Sequence, residues 1–304
     1  MTYPPHIFTL TGNLLAERTF EFPSWTEGKT HRATRESFQV GGKGINVSKM
    51  LNRMGAANTA LCFTGGAAGA ECETWLAARG FSFRSFQTDR ITRAGTVVRS
   101  AAQPETTFLG PDVPPSESAI RTCAAFLDAQ ADGQILACCG SFPGWAGVEF
   151  DALRGALQRW LNRGVLAVDT YGSPLTWLAQ HPVALVKINA TEFASLGETS
   201  QPIAMTLSAS PLPWPVSRWV VSDGPGTVTF RDRTEKAAET ILPPSVREIS
   251  PTGSGDVLFA VLLHSLFLKQ TSLREALKRA LPLAAANAAH PGVAEFPDTL
   301  ERDD

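Results

Sequence analysis

"VGGKGINVSKMLNRMG", Val40 to Gly55, sets Gly41, Gly42 and Gly44 in front of a helical pattern. Val47, Met50, Leu51 and Met54 fall at i, i+3, i+4 and i+7, one face of a helix, and Gly55 stands where a C-cap belongs. A helix can begin without glycines, so these three need another reason. They precede a helix N-terminus, where unpaired backbone N–H groups gather and the dipole is positive. Without Cβ atoms they let the backbone close on a ligand, and Lys43 and Asn46 add donors. A plain glycine turn that merely opens the helix is the alternative.

The loop lacks the G-x-x-x-x-G-K-[ST] spacing of a Walker nucleotide loop. "GKT" does occur at Gly28–Thr30, but Pro23 stands where that pattern needs its first glycine. "GGAAGAEC", from Gly65, does not keep the G-x-G-x-x-G spacing of a dinucleotide site.

A second cluster says more. In "SPTGSGDVLFAVLLHSLF", Ser250 to Phe267, the residues Thr252, Gly253, Ser254 and Gly255 read as a turn, and Asp256 opens a strongly apolar helix. Amides at a buried helix start make an anion hole. A carboxylate beside that hole could take a proton from an attacking hydroxyl while the amides hold a phosphoryl group. Asp256 as a simple N-terminal cap is the alternative.

The rest of the chain sets limits. Of its 304 residues, 43% are hydrophobic, enough for a large core, and Lys+Arg 27 against Asp+Glu 29 gives no basic excess for nucleic acid. The cysteines Cys62, Cys72, Cys123, Cys138 and Cys139 form no CxxC pair, so they read as small core residues in a reducing compartment. The N-terminus lacks a basic segment followed by an apolar one, and the longest apolar run, Val257 to Leu268, is too short to span a bilayer. A cytoplasmic protein with no membrane partner is expected.

Apolar runs of strand length recur: "TALCF" from Thr59, "QILACC" from Gln134, "VLAVD" from Val165, "ALVKI" from Ala184 and "RWVVS" from Arg218. Helical stretches at Glu71–Ala78, Ser116–Ala131 and Glu149–Asn162 lie between them. This alternation predicts βαβ units and a doubly wound, largely parallel α/β sheet flanked by helices. Residues 18–40 and about 91–109 break the rhythm with Thr, Phe, Val and Arg, and read as a small β-sheet lid. With no linker and no repeat, one domain over residues 1–304 is expected, its lid built from about 9–40 and 91–109. The Pro-rich "SASPLPWPVSRW" reads as a long loop.

Together the two glycine clusters resemble the paired signatures of the phosphofructokinase B (ribokinase-like) carbohydrate kinases, "GGKGxNVAxxLxxLG" and "TxGAGDxFxxG". Further landmarks follow in order. "GSFPGW" at Gly140–Trp145 is similar to "GSLPPG", and "VDTYG" at Val168–Gly172 to "VDxSG". "LVKINATEF" from Leu185 is similar to "xxKPNxxEL", and "VVSDGPGTV" from Val220 to "VTLGxxGxx". The resemblance implies transfer of the ATP γ-phosphoryl group to a sugar hydroxyl, with Asp256 as base and the amides of Gly253, Ser254 and Gly255 as anion hole. It implies Mg²⁺ held largely through water near Asn189 and Glu192. Nucleotide contacts would come from Lys187, Ser222, Gly224, Gly226, Thr252 and Asn287.

"GGKGINVS" is most similar to the 1-phosphofructokinase and tagatose-6-phosphate kinase branch, whose acceptors already carry a phosphate. That implies cations away from Asp256: Lys29 and Arg32 in "EGKTHRA", Arg93 in "ITRAGTVV", with Ser141 and Lys43 near them. Gly41, Gly42 and Asn46 would close around the sugar. The branch's N-terminal "TLNPAxD" carries an aspartate that grips sugar hydroxyls. Here the text is "TLTGNLLAERTF", with Glu17 aligned best to that acid and Asn13 as competitor. The leading acceptor is a ketohexose phosphate, most simply fructose 1-phosphate. An unphosphorylated sugar or nucleoside is one alternative, and a catalytically idle ligand-binding relative another. The lid edge, with Trp25, is a candidate homodimer contact.

Overall fold

Apolar runs alternating with helical faces give, in the computed structural model, an α/β fold described over residues 5–197, 201–209 and 211–297. The order begins β1 (Ile7–Thr11), β2 (Leu15–Phe22), β3 (Arg35–Gly41), α1 (Lys43–Arg53), β4 (Asn58–Thr64), α2 (Gly66–Ala78) and β5 (Phe83–Gln87). It continues through β6 (Arg93–Ser100), β7 (Thr106–Leu109), α3 (Glu117–Asp128), β8 (Ile135–Cys139), α4 (Asp151–Leu161), β9 (Val165–Asp169) and α5 (Ser173–Ala179). Then come β10 (Leu185–Asn189), α6 (Ala190–Ala194), α7 (Ile203–Ser208), β11 (Arg218–Ser222), β12 (Val228–Asp232), β13 (Glu239–Ile241), α8 (Ser254–Leu263) and α9 (Leu273–Ala288).

The main sheet has nine strands in the order β13-β12-β11-β10-β9-β8-β1-β4-β5. Winding reverses at β1, which pairs in parallel with β4 on one side and β8 on the other. Only β12 and β13, at one edge, run antiparallel to their neighbours. Ligand crevices in such sheets open at the carboxyl ends of the strands, at the reversal. There Thr11 of β1 stands beside Cys139 of β8, and Cys139 beside Asp169 of β9.

Side chains alternate between two cores. Ile7 packs with α1, α8 and α9, whereas Phe8 and Leu10 pack with α3, α4 and α5. The five apolar runs named from sequence are β4, β8, β9, β10 and β11, each within a residue or so. β1 escapes that reading because Thr9 and Thr11 interrupt it. Both are buried, and Thr9 Oγ1 and Ser48 Oγ share a hydrogen bond of 2.8 Å. α2 starts at Gly66, ahead of the expected Glu71, and all five cysteines are buried and free.

A second sheet has the order β3-β2-β6-β7. It starts at Leu15 rather than near residue 9, because Ile7–Thr11 is the strand at the reversal of the main sheet. The Pro-rich stretch connects α7 to β11, and its Ser210 lies outside the described residues. α8 is buried from Asp256 to Leu263. Each buried leucine there contributes about 1.5–3 kcal/mol, so this helix is a firm mount for the residue at its start.

Candidate active site

Two helix N-termini meet at the reversal point. α1 and α8 pack together, and neither has a side-chain cap. α1 can press its end against β1 because its opening residues are glycine. A Cβ on Gly42, whose φ is 121°, would stand 2.7 Å from Thr11 Cγ2, and one on Gly44 would stand 2.3 Å from Thr11 Oγ1. Thr11 Oγ1 is buried without a partner. On α8, Gly253 takes the left-handed conformation at φ 77°, with Val293 against it.

The unpartnered amides at the start of α8 differ from the expected set of Gly253, Ser254 and Gly255. The Ser254 N–H donates to Pro251 O at 3.2 Å and is therefore engaged. The N–H groups of Gly253, Gly255 and Asp256 have no partner among the described residues. Helix α8 also begins at Ser254, so Asp256 is its third residue rather than its first. Its own amide is thus one of the open donors at this helix start.

Charge is distributed unevenly around that helix start. Lys43 Nζ lies 2.7 Å from Asp169 Oδ1 and 3.3 Å from Glu192 Oε1, and Lys187 Nζ lies 3.0 Å from Asp169 Oδ2. Lys187 also abuts Gly255, its Nζ 2.6 Å from where a Cβ would stand. Asp169 is fully buried; burial pushes its carboxyl up, but Lys187 and Lys43 outweigh that and hold it below the ordinary value. Burial likewise opposes the Lys43 charge, and Asp169, Asp256 and Glu192 overcome it, raising the lysine. Asp256 has no such direct partner. Its Oδ2 accepts one hydrogen bond, from Asn46 Nδ2 at 2.7 Å. Burial first, and then the charge of Asp169, push its carboxyl up to about 6 against the pull of Lys43, Asn46 and Lys187. Of the two buried aspartates, Asp256 is the one able to gain a proton near neutral pH.

Beyond β1, Asn13 is buried. Its Nδ2 donates to Ser141 Oγ at 3.0 Å and to Asp112 Oδ1 at 2.7 Å. Arg93, at the start of β6, donates from Nη1 to the same Asp112 oxygen at 2.8 Å. Asn13, Arg90 and Arg93 line one small cleft. Glu17 does not join them: it lies on β2, opposite Gln39 of β3, and its carboxylate accepts from the Gln39 amide. Of the two expected candidates, Asn13 lines this cleft and Glu17 does not. Lys29 and Arg32 do not converge with Arg93 either. They are exposed in the β2–β3 connection, beyond Phe22, whereas Arg93 pairs in register with Leu15. At about 3.3 Å per residue, β2 separates those ends by roughly 23 Å.

Of the residues expected to face a nucleotide, Ser222 ends β11, and Gly224 and Gly226 lie in the turn to β12, where Gly226 N–H donates to Asp223 O at 2.8 Å. Thr252 is exposed. Asn287 is fully buried, and its amide is already engaged by Thr252 O, Ser254 Oγ and the Ala294 N–H at 3.0, 3.1 and 2.8 Å. It braces the turn that precedes α8 and has no exposed surface. Asn189 and Glu192 form a capping box on α6, and the other Glu192 oxygen accepts from Lys43. Direct metal ligation by this pair does not fit; a contact through water does. No group of three or more His, Cys, Asp or Glu able to hold a metal ion is present among the described residues. Nor is any helix among them long and apolar enough to cross a membrane.

A family model described as pfkB family carbohydrate kinase matches residues 14–300. The chain belongs to the pfkB family of carbohydrate kinases. Membership makes it an ATP-dependent kinase. Among pfkB relatives, the 1-phosphofructokinase of Borreliella burgdorferi is 26% identical over 296 residues, covering 96% of this chain and 94% of that protein. The ATP-dependent 6-phosphofructokinase isozyme 2 of Escherichia coli is 29% identical over 291 residues, covering 93% and 92%. A solved structure, the tetrameric inhibited form of phosphofructokinase-2 from Escherichia coli, superposes with a TM-score of 0.83 at 26% identity over 93% of this chain and 94% of that one. Three site features of this pfkB chain had no role assigned from sequence: Asp169, Arg90 and Asp112. Asp169 sits in the quoted "VDTYG" and so carried a signal. Asp112 and Arg90 carried none, because only the fold brings residues about 80 and 100 positions apart to Asn13.

Proposed function

We propose that this pfkB member is a sugar-phosphate kinase that transfers the γ-phosphoryl group of ATP to a hydroxyl of a ketohexose phosphate, most simply fructose 1-phosphate to fructose 1,6-bisphosphate. One observation carries the reading: Asp256 is a buried carboxylate bonded only to Asn46, at a helix N-terminus with no side-chain cap and with open N–H groups. The acceptor hydroxyl gives its proton to Asp256 as its oxygen bonds to the γ-phosphorus. The bond from phosphorus to the ADP oxygen breaks, and the amides of Gly253, Gly255 and Asp256 bear the charge on the transferred group. Mg²⁺ bound with ATP would neutralise phosphate charge, with Glu192 and Asn189 reaching it through water. Lys187, Thr252, Ser222, Gly224 and Gly226 face the nucleotide in this reading.

A phosphorylated acceptor is supported by Arg93. Its side chain is only 14% exposed, and its Nε is buried without a partner, leaving a donor for an anion. We read the second sheet as a lid of the single kinase domain that excludes water when the sugar binds. Phe108 and Leu109 on its edge strand β7 are 59% and 55% exposed, which favours a homodimer through the lid. Lys29 and Arg32 would reach a sugar phosphate from the lid of the second copy. Free cysteines and use of ATP suit a cytoplasmic enzyme.

A second reading, an unphosphorylated acceptor, is favoured by the ion pair that already occupies one Arg93 nitrogen. ADP release with Mg-ATP separates the two across fructose 1-phosphate, fructose 6-phosphate, tagatose 6-phosphate, fructose, ribose and adenosine. Turnover of one phosphorylated ketose supports the leading reading. Turnover of an unphosphorylated acceptor alone keeps Asp256 as base and removes the phosphate role of Arg93. Binding without turnover of any acceptor leaves an idle relative.

A further inference from the structure

The carboxylate of Asp112 is held in an unusual way. It lies in the connection from β7 to α3, yet both its hydrogen bonds reach distant parts of the chain: Asn13 after β1, at 2.7 Å, and Arg93 on β6, at 2.8 Å. Both fall on Oδ1. Oδ2 has no partner among the described residues, and the side chain is 55% exposed. One oxygen is therefore fixed by donors on the cleft wall while the other stays open. Asn13 is part of that wall, and its carbonyl oxygen lies 3.6 Å from where a Gly42 Cβ would stand, against the loop that opens α1. From α1, Asn46 reaches Asp256. Asp112 thus borders the space between the lid and the proposed base.

A carboxylate immobilised through one oxygen and open at the other is an acceptor for neutral hydroxyl donors. A phosphate is a poor occupant of that oxygen, since like charges repel, but it suits the free Nε of Arg93 a few atoms away. Glu17, the acid nominated from sequence, is turned to Gln39 instead. We infer that Asp112 is the specificity-determining acid of the acceptor site, its open oxygen taking a ring hydroxyl of the sugar while Arg93 divides its donors between Asp112 and the sugar's phosphate. The inference rests on the kinase reading above.

The test uses the full chain and acceptors that differ by one hydroxyl: the phosphorylated ketose the wild type turns over, and its 3-deoxy and 4-deoxy analogues. Asp112→Asn keeps the shape and loses the charge. Asp112→Glu keeps the charge and moves it by one methylene. Wild type is expected to prefer the intact sugar to one deoxy analogue by about 10- to 100-fold in kcat/KM, the range for a charged hydrogen bond. In Asp112→Asn that preference should shrink toward unity through a higher KM for the intact sugar, with the KM for ATP unchanged. Asp112→Glu should restore part of it. Unaltered hydroxyl preference in both variants, with turnover retained, would overturn the assignment and leave Asp112 as a brace for Arg93. A wild type silent on every phosphorylated ketose fails differently: it removes the acceptor reading itself, and the Asp112 inference with it.

Discussion

Replacing Asp256 with asparagine should make the protein more stable while disabling it. Folding buries this carboxylate, and its proton is held more tightly in the native state: the ordinary value of 3.8 rises to about 6. A group raised in this way contributes its full stability below its unfolded pKa and loses it as pH climbs through the folded one. Above pH 7 the charged native Asp256 therefore costs about 3 kcal/mol relative to a neutral side chain, at roughly 1.4 kcal/mol per pH unit. Asparagine is neutral at every pH and can still accept from Asn46. Asp256→Asn should then melt about 5 °C higher than wild type at pH 7.5, taking an unfolding entropy in proportion to chain length. At pH 5 the gap should narrow to about half, because wild type has by then protonated most of its Asp256. Calorimetry of both proteins at both pH values reads this directly. A variant that melts at or below wild type at pH 7.5, or a gap that does not depend on pH, would refute the reasoning that burial and Asp169 outweigh the lysines around Asp256.

Other outcomes follow from the same geometry. The acid limb of kcat/KM for the acceptor should fall with an apparent pKa near 6, read from a pH–rate profile; a limb near pH 4 would remove Asp256 from that step. Asn287→Ala should orphan the buried Ala294 N–H and loosen the anion-hole turn, costing about 1–3 kcal/mol in chemical denaturation and lowering kcat more than it raises the KM for ATP. Leu262→Ala, in the buried Asp256–Leu263 stretch of α8, should cost about 2–5 kcal/mol in the same measurement. Gly44→Ala should displace the start of α1 from Thr11 and lower acceptor turnover, seen in steady-state kinetics, because no room exists for the Cβ.

Much of this was legible in the sequence because its physics is local. A helix face repeats every three to four residues, and a buried parallel strand is a continuous apolar run, so α1, β4, β8, β9, β10 and β11 could be read along the chain. β1 could not, since two buried threonines interrupt it and the partner of Thr9, Ser48, lies on α1. The glycines before α1 and α8 pointed to open N-termini, and Asp256 to a carboxylate beside one of them. Which amides stay open depended on a turn bond from Ser254 to Pro251, a detail of backbone conformation. Burial of Asn287 depended on three partners spread over some 40 positions, and the separation of Lys29 and Arg32 from Arg93 on strand register in the second sheet. Asp112 was invisible for the same reason: nothing near it in the chain explains what it touches.

The central claim is that Asp256 takes the acceptor's proton during phosphoryl transfer, and single-turnover chemistry tests it most directly. Enzyme in excess over γ-labelled Mg-ATP is mixed with saturating fructose 1-phosphate and quenched in time, for wild type and Asp256→Asn, with ATP affinity measured alongside. The account predicts rapid label transfer in wild type, a rate at least about 100-fold lower in the variant, and unchanged ATP binding. Transfer at comparable rates in the two proteins would contradict it.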